Sequence, residues 1–337
     1  QIGFVMKLHH ALADGMASVS LIVNAFALDE ADVITEPFVP EPEPTRQALY
    51  RAAAGSLTEG LRSVPSVTRE TVAGLRNQRV VRRAESTRVV GPFAGPRTPF
   101  NVSLVPERTF AMFSFPLESI TPARRSVGAS VNDAFLALCA GGIRRYLSRS
   151  DELPSVSLVA SVPIGTPDDQ PRLGGNHVDN LYVSLHTDVA DPLERLQAIH
   201  DSVRAARHVR GAPGTGLFER RASIMPPILQ SVAARSWAAT GLAGRIRPPL
   251  NIVASSVPGP RTPLEIKGGR VTALYSSGPI LEGIGLNITV WSYIDTMYVS
   301  LLGCPTSLPD PWLLAADMED ERRALAAAAA AAPSAGC

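Results

Sequence analysis

Apolar and polar positions change period several times along the chain, and the changes mark out its elements. Ile2 to Leu8 is short and mostly apolar, which predicts a strand. Beyond it Met16, Val19, Ile22, Val23 and Phe26 recur at helical spacing. Asp14 stands just ahead of them as an N-cap, so a helix is predicted to about Leu28. Residues 34–44, ITEPFVPEPEP, have no period and read as a Pro/Glu-rich linker. From Thr45 to about Arg83 the pattern is helical and Arg-rich, with Arg62, Arg69, Arg76, Arg79, Arg82 and Arg83. Such a stretch suits an anionic membrane surface, or a solvated helical face, because its apolar side is thin in large residues. Residues 84–109 hold several Pro and Gly and predict a connector.

A second organised stretch begins near Arg108. RTFAMFSFP predicts a strand, ESITPARRSVGAS a short helix and turn, and 131–147 a helix. That helix carries Val131, Phe135, Leu138, Cys139, Ile143 and Tyr146 on one side. Strands are predicted at 155–164, 176–188, 249–257, 270–276, 285–293 and 296–302, and helices at 191–210, 215–240 and 310–325. The tract 324–332 reads as the frayed end of the last helix. Strands and helices mix with no repeat period, so the fold class is α/β or α+β.

Composition narrows the function. The chain has 337 residues, 45% of them hydrophobic and 19% charged, enough for a sizeable core. Thirty-two basic and 31 acidic residues leave a formal charge of +1, which argues against nucleic acid as the main partner. Three cysteines, Cys139, Cys304 and Cys337, make no disulfide framework and no CxxC metal pair. A reducing, cytoplasmic compartment is the expectation. No apolar run reaches the length of a membrane span, about 18 residues.

The candidate chemistry is concentrated in HHALADG, from His9 to Gly15. If the preceding run is a strand, the two histidines face opposite sides, and one can enter a cleft. A neutral imidazole, with a reference pKa near 6.5, suits proton abstraction from a hydroxyl. Asp14 can accept from backbone N–H groups of the turn or pair with an arginine, and Gly15 frees the backbone. No further His or Cys stands at zinc-ligand spacing. In SVNDAFLAL, Ser130 and Asp133 have capping-box spacing, and Asn132 would lie in the first helical turn, placed to orient a thioester or phosphate. In SSVPGP, Ser255 or Ser256 at the end of an apolar strand could donate to an oxyanion, and GGN at 174–176 reads as a turn. His177, His186, His200 and His208 are scattered and read as structural.

Taken in order, HHALADG, PRTPFN (96–101), VNDAFLAL, ASVPI, GGNHVDNLYVSL, DPLERLQAI, SSVPGP, GLNITVWSY (285–293) and PDPWLLA resemble the bacterial wax ester synthase/diacylglycerol acyltransferase family. The series spans essentially the whole chain. HHxxxDG alone is shared with condensation domains and other members of the chloramphenicol acetyltransferase superfamily. The resemblance implies two α/β lobes, mixed sheets flanked by helices, with a tunnel between them. Residues 1–33 would be the remainder of an incomplete first lobe whose earlier segment is missing, 34–107 a linker and connector, and 108–337 the second lobe. It implies acyl transfer from acyl-CoA, as co-substrate and with no bound cofactor, to diacylglycerol or a long-chain fatty alcohol. His10 would be the general base and His9 its support. Asp14 would shape the loop, Asn132 would polarise and Ser256 would donate to the oxyanion. The enzyme would sit peripherally on the inner membrane face or a lipid-droplet surface. Other readings are an inactive lipid-binding scaffold and a condensation-type enzyme acting on carrier-bound acyl groups. The family usually carries Asn where Ser256 stands, a Gly and then FGL in the region of 294–299, and an Arg in place of a residue within 165–167.

Overall fold

The computed structural model describes residues 2–10, 12–27, 39–40, 42–58, 62, 65–66, 69, 89–91, 93–165, 178–211, 227–266 and 268–331. The chain divides into two compact units, one of residues 1–27, 88–206 and 241–337, the other of residues 28–87 and 207–240. The histidine segment and connector residues 88–107 therefore group with the body that begins, in sequence terms, at 108.

Among the described residues the first unit is built on eight strands: β1 Thr109–Pro116, β2 Val159–Gly165, β3 Val178–Ser184, β4 Ile252–Pro258, β5 Glu265–Ile266, β6 Gly269–Arg270, β7 Leu286–Tyr293 and β8 Thr296–Gly303. Six of them form one mixed sheet in the order β1-β8-β7-β4-β2-β3, and β5 and β6 pair separately. Within the large sheet β4 runs parallel to both β2 and β7, and the remaining pairs are antiparallel. The described helices include α1 Gly15–Ala27, α2 Thr121–Ser126, α3 Val131–Ser148, α4 Pro192–Gly211, α5 Pro227–Thr240 and α6 Pro311–Ala331. The α/β class is thus as the sequence predicts. In the second unit residues 46–58 are helical, with Leu49, Tyr50 and Leu57 exposed, and α5 follows at its C-terminal end. Arg76, Arg79, Arg82, Arg83, His177, the GGN turn and residues 212–226 lie outside the described residues.

Alternation along the strands gives the sheet two different sides. On one side Ile252 and Ala254 of β4, Ile288 and Val290 of β7, Val299 and Leu301 of β8, and Leu181 and Val183 of β3 join the main core. Residues of α2, α3, α4 and α6 complete that core, so the helices cover this side. Burial extends almost all round α3, from Asp133 to Ile143, beyond the single stripe its sequence predicts. Close approach explains this: a Cβ added at Gly142 would lie 3.1 Å from the Met318 Cα of α6. Gly141 likewise leaves room for the Glu321 side chain. Glu321 is buried and paired with Arg195, itself 1% exposed, and with Arg145 at 3.2 Å.

The other side of the sheet is more polar. Ladder partners point to the same side, so Ser161, Val253, Ser255, Val257, Thr289, Trp291, Tyr298 and Ser300 share it. Helix α1 packs here, with Ile22 and Val23 against the cluster of Leu264, Tyr293 and Tyr298.

Two predicted strands are not strands. Ile2 to Leu8 pairs with no described strand, and Ile2, Phe4 and Val5 stand largely exposed, so the apolar run lacks the ladder it needs. Of 270–276 only Arg270 lies in a strand, in the two-residue pairing with β5. The rest crosses the sheet as an irregular strap held by side chains. The β7–β8 turn holds Ile294 at φ 54, an unfavourable angle for a β-branched residue. Its N–H bonds to Pro260 O at 3.0 Å, and the next carbonyl, of Asp295, accepts from Leu117 N at 2.8 Å, which fixes the turn.

Candidate active site

The histidine pair sits on a tight turn rather than on a strand. Leu12 N–H donates to His9 O at 2.8 Å and closes the turn. Asp14 then starts α1 as the spacing predicts. Its Oδ1 accepts from Ala17 N–H at 2.9 Å, and its carbonyl accepts from Ser18 N–H at 2.8 Å. The carboxylate is 2% exposed and lies at the positive end of the helix. Such a cap is worth about 1 kcal/mol. Gly15 is required for contact: a Cβ there would lie 2.9 Å from Val257 Cγ2 of β4. The start of α1 is therefore pressed against the polar side of the sheet.

His10 is exposed, with Nδ1 3.1 Å from Ala13 O. A carbonyl only accepts, so in the neutral ring this contact puts the proton on Nδ1 and leaves Nε2 with its lone pair. One turn of four residues thus supplies an imidazole and the acceptor that fixes its tautomer.

Of the two serines in SSVPGP, the structure separates the candidates. Ser256 has the strand parity of Ile252 and Ala254 and belongs to the helix-covered side. Ser255 has the parity of Val257, the residue against Gly15, and lies on the side of α1. Asn132 lies half-buried in the first turn of α3, on the helical side. The structure brings His9, His10 and Asp14 into one turn beside the Ser255 face, and puts Asn132 and Ser256 across the sheet. Ser130 and Asp133 do form the reciprocal capping box, at 3.2 and 2.9 Å. Asp133 also takes His200 Nδ1 at 2.9 Å, a tie from α3 to α4 that no spacing rule announces.

PRTPFN proves to be a structural knot. Asn101 donates to Leu250 O at 3.0 Å and Gly283 O at 2.9 Å, and its Oδ1 accepts from Thr98 and from Asn251. Asn251 in turn bonds Val159 N–H and Pro96 O. The connector is thereby tied to the ends of β2, β4 and β7. His186 bonds Ser202 at 2.8 Å, and burial lowers its pKa. Burial pushes the Cys139 thiol far up, so it is no nucleophile. Among the described residues no group of His, Cys, Asp or Glu is arranged to hold a metal ion.

A mixed sheet with helices on one side, and a histidine-bearing turn capped onto a helix on the other, defines a protein of the α/β class. The pattern of the wax ester synthase/diacylglycerol acyltransferase catalytic domain matches residues 1–135, and that of the family's C-terminal domain matches 174–326. A Mycobacterium tuberculosis (strain H37Rv) relative named for diacylglycerol O-acyltransferase activity, Rv0221, is 34% identical over 318 residues, covering 94% of this chain and 67% of its own length. A second from that strain, Rv3087, is 32% identical over 336 residues, covering 98% and 71%. The wax ester synthase/diacylglycerol acyltransferase of Marinobacter aquaeolei VT8 superposes with a TM-score of 0.54 at 27% identity, over 79% of this chain and 58% of that one. The SgcC5 protein of Streptomyces globisporus, at 16% identity and a TM-score of 0.52, shares the fold. The chain belongs to the wax ester synthase/diacylglycerol acyltransferase family.

Proposed function

We propose that this protein transfers a fatty acyl group from acyl-CoA to the hydroxyl of diacylglycerol or a long-chain alcohol, with His10 as general base. The observation that carries the reading is the His10 Nδ1 contact with Ala13 O, which leaves Nε2 of an exposed ring with its lone pair. Nε2 takes the proton of the acceptor hydroxyl as its oxygen attacks the thioester carbonyl. The C–S bond breaks, and the coenzyme A thiolate leaves and recovers the proton from the imidazolium. Such a base contributes about 10²–10⁴ in rate. Ser255, on the face that α1 covers, is the candidate donor to the oxyanion. His9 and Asp14 hold the turn. Asn132 and Ser256, across the sheet, have no part in this scheme.

The transfer is direct and needs no bound cofactor. Lipid substrates imply work at a membrane or lipid-inclusion surface. The exposed Leu49, Tyr50 and Leu57 beside Arg46 and Arg51 support peripheral attachment. No single described helix is long and apolar enough to cross a membrane.

The test is His10→Ala, assayed by thiol release from acyl-CoA with each acceptor. Transfer should fall at least about 100-fold with the circular dichroism spectrum unchanged. Near-normal turnover in the variant would refute the base assignment. Turnover with an acylated carrier protein but not with acyl-CoA would make the chain a condensation-type enzyme instead.

A further inference from the structure

Two buried polar atoms on the α1 side of the sheet have no hydrogen-bond partner: Trp291 Nε1 of β7 and Ser300 Oγ of β8. Their residues are 2% and 0% exposed. The register puts Ser300 opposite Thr289 and Trp291 opposite Tyr298, so the two are diagonal neighbours on one face. Trp291 is also the β4-ladder partner of Val257, which touches the start of α1 at Gly15. Trp291 is therefore one strand, and Ser300 two strands, away from the residue against which α1 starts. Leaving a buried donor unpaired is costly, and such atoms call for an explanation.

The strap over this place sharpens the point. Tyr293 and Tyr298 hydroxyls donate to Val271 O and Thr272 O at 3.1 and 2.9 Å. At the far end Gly278 N–H donates to Thr289 Oγ1 at 3.2 Å, and Asn287 Nδ2 to Pro279 O at 2.9 Å. Asn287, Thr289, Trp291 and Tyr293 follow one another on this face of β7, so residues 273–277 span the position of Trp291. The strap is pinned on both sides of Trp291 and bonds Asn287, Thr289, Tyr293 and Tyr298, yet neither orphan atom.

Both orphan atoms can donate, and an indole N–H can only donate. Their partner must be an acceptor, and apolar side chains lie beside the polar ones on this face. On the same face β1 offers Phe110 and Met112, and β4 offers Val253 and Val257. An ester carbonyl meets these terms, having acceptor oxygens and no N–H of its own to satisfy. Diacylglycerol has two beside its free hydroxyl, and a long-chain alcohol has none. Resting on the acyl-transfer reading above, we propose that Trp291 Nε1 and Ser300 Oγ form a donor subsite, beneath the 271–279 strap, for an ester carbonyl of diacylglycerol. The subsite makes the protein select diacylglycerol over long-chain alcohols.

The test compares wild type, Trp291→Phe and Ser300→Ala at saturating acyl-CoA, with dioctanoylglycerol and with hexadecanol as acceptors. The ratio of kcat/KM for the glyceride to that for the alcohol should fall about five- to tenfold in each variant, mostly through KM. Ser300→Ala should melt no lower than wild type, because it removes an unpaired hydroxyl. An unchanged ratio overturns the proposal, and so does an equal loss with both acceptors, which would assign the pair to acyl-CoA. A second readout is independent of turnover. In the Trp237→Phe/Trp312→Phe variant, which leaves Trp291 as the one tryptophan, the resonance Raman band that reports indole N–H hydrogen bonding should shift with dioctanoylglycerol and not with hexadecanol. If wild type acylates neither acceptor, the proposed function fails, and this band alone decides the subsite: a shift with the glyceride upholds it, and no shift overturns it.

Discussion

Replacing Gly141 by Ala tests the packing of α3 against α6, because helix propensity and the structure predict opposite signs. Judged from the helix alone, Gly→Ala at an interior position gains about 1 kcal/mol. The structure puts the carboxylate carbon of Glu321 where the new methyl would go. Glu321 is the buried partner of Arg195, so displacing it strips a guanidinium that is 1% exposed of its counter-charge. Breaking such a pair costs about 3–5 kcal/mol. Arg195 keeps its bonds to Val189 O at 2.6 Å and Ala190 O at 3.1 Å, which argues for the lower part of that range. The net expectation is a loss of about 2–3 kcal/mol, a large share of the stability of an ordinary domain. Urea unfolding followed by circular dichroism measures it, as a lower midpoint at constant slope. In a Glu321→Ala background the methyl has room, and Gly141→Ala should become neutral or favourable, so the double variant should be more stable than the sum of the two single losses predicts. A stabilised Gly141→Ala single variant would refute the reasoning, because the helices would then be free to move apart.

Two further outcomes follow from the sheet and the core. Ser255→Ala should lower kcat by about 10–100-fold, whereas Ser256→Ala should alter melting more than turnover; steady-state kinetics on both variants distinguishes the two serines. His186 has a pKa held below its ordinary value by burial, so the unfolded chain takes up the proton more readily than the folded one. Stability should therefore fall as pH drops below about 6.5, and His186→Asn, which also suits the φ of 49 there, should flatten that part of the curve measured by urea midpoint against pH.

Sequence legibility tracked the physics of each element. Helix α3 was readable because period, capping residues and length agree, and α1 because Asp14 precedes a periodic run. Strand β4 was readable as a strand but not by side. Ile252, Val253, Ala254 and Val257 are all apolar, so alternation gives no parity, and the choice between Ser255 and Ser256 needs the ladder and the Gly15–Val257 contact. The strap misread as a strand at 270–276 has apolar residues for the sheet but bonds through Tyr293, Tyr298, Thr289 and Asn287, and side-chain anchors leave no period. The run from Ile2 to Leu8 has the hydrophobicity of a strand, but it pairs with no described strand, and composition carries no information on pairing. The Asn101–Asn251 knot joins positions 150 apart in the chain, beyond the reach of local pattern.

Because β4, β7 and β8 each show one parity to the helices and the other to α1, neighbouring residues answer to different demands. A substitution at Ser255, Trp291 or Ser300 alters the α1 side while the helix-backed core goes on unaltered. An insertion or deletion of a single residue in those strands would exchange the two sides at once, presenting Ala254 and Val290 to α1 and thrusting Trp291 among the helices. Divergence on the α1 side must therefore proceed by replacement in fixed register, with changes of length confined to the turns and to the strap between its anchors.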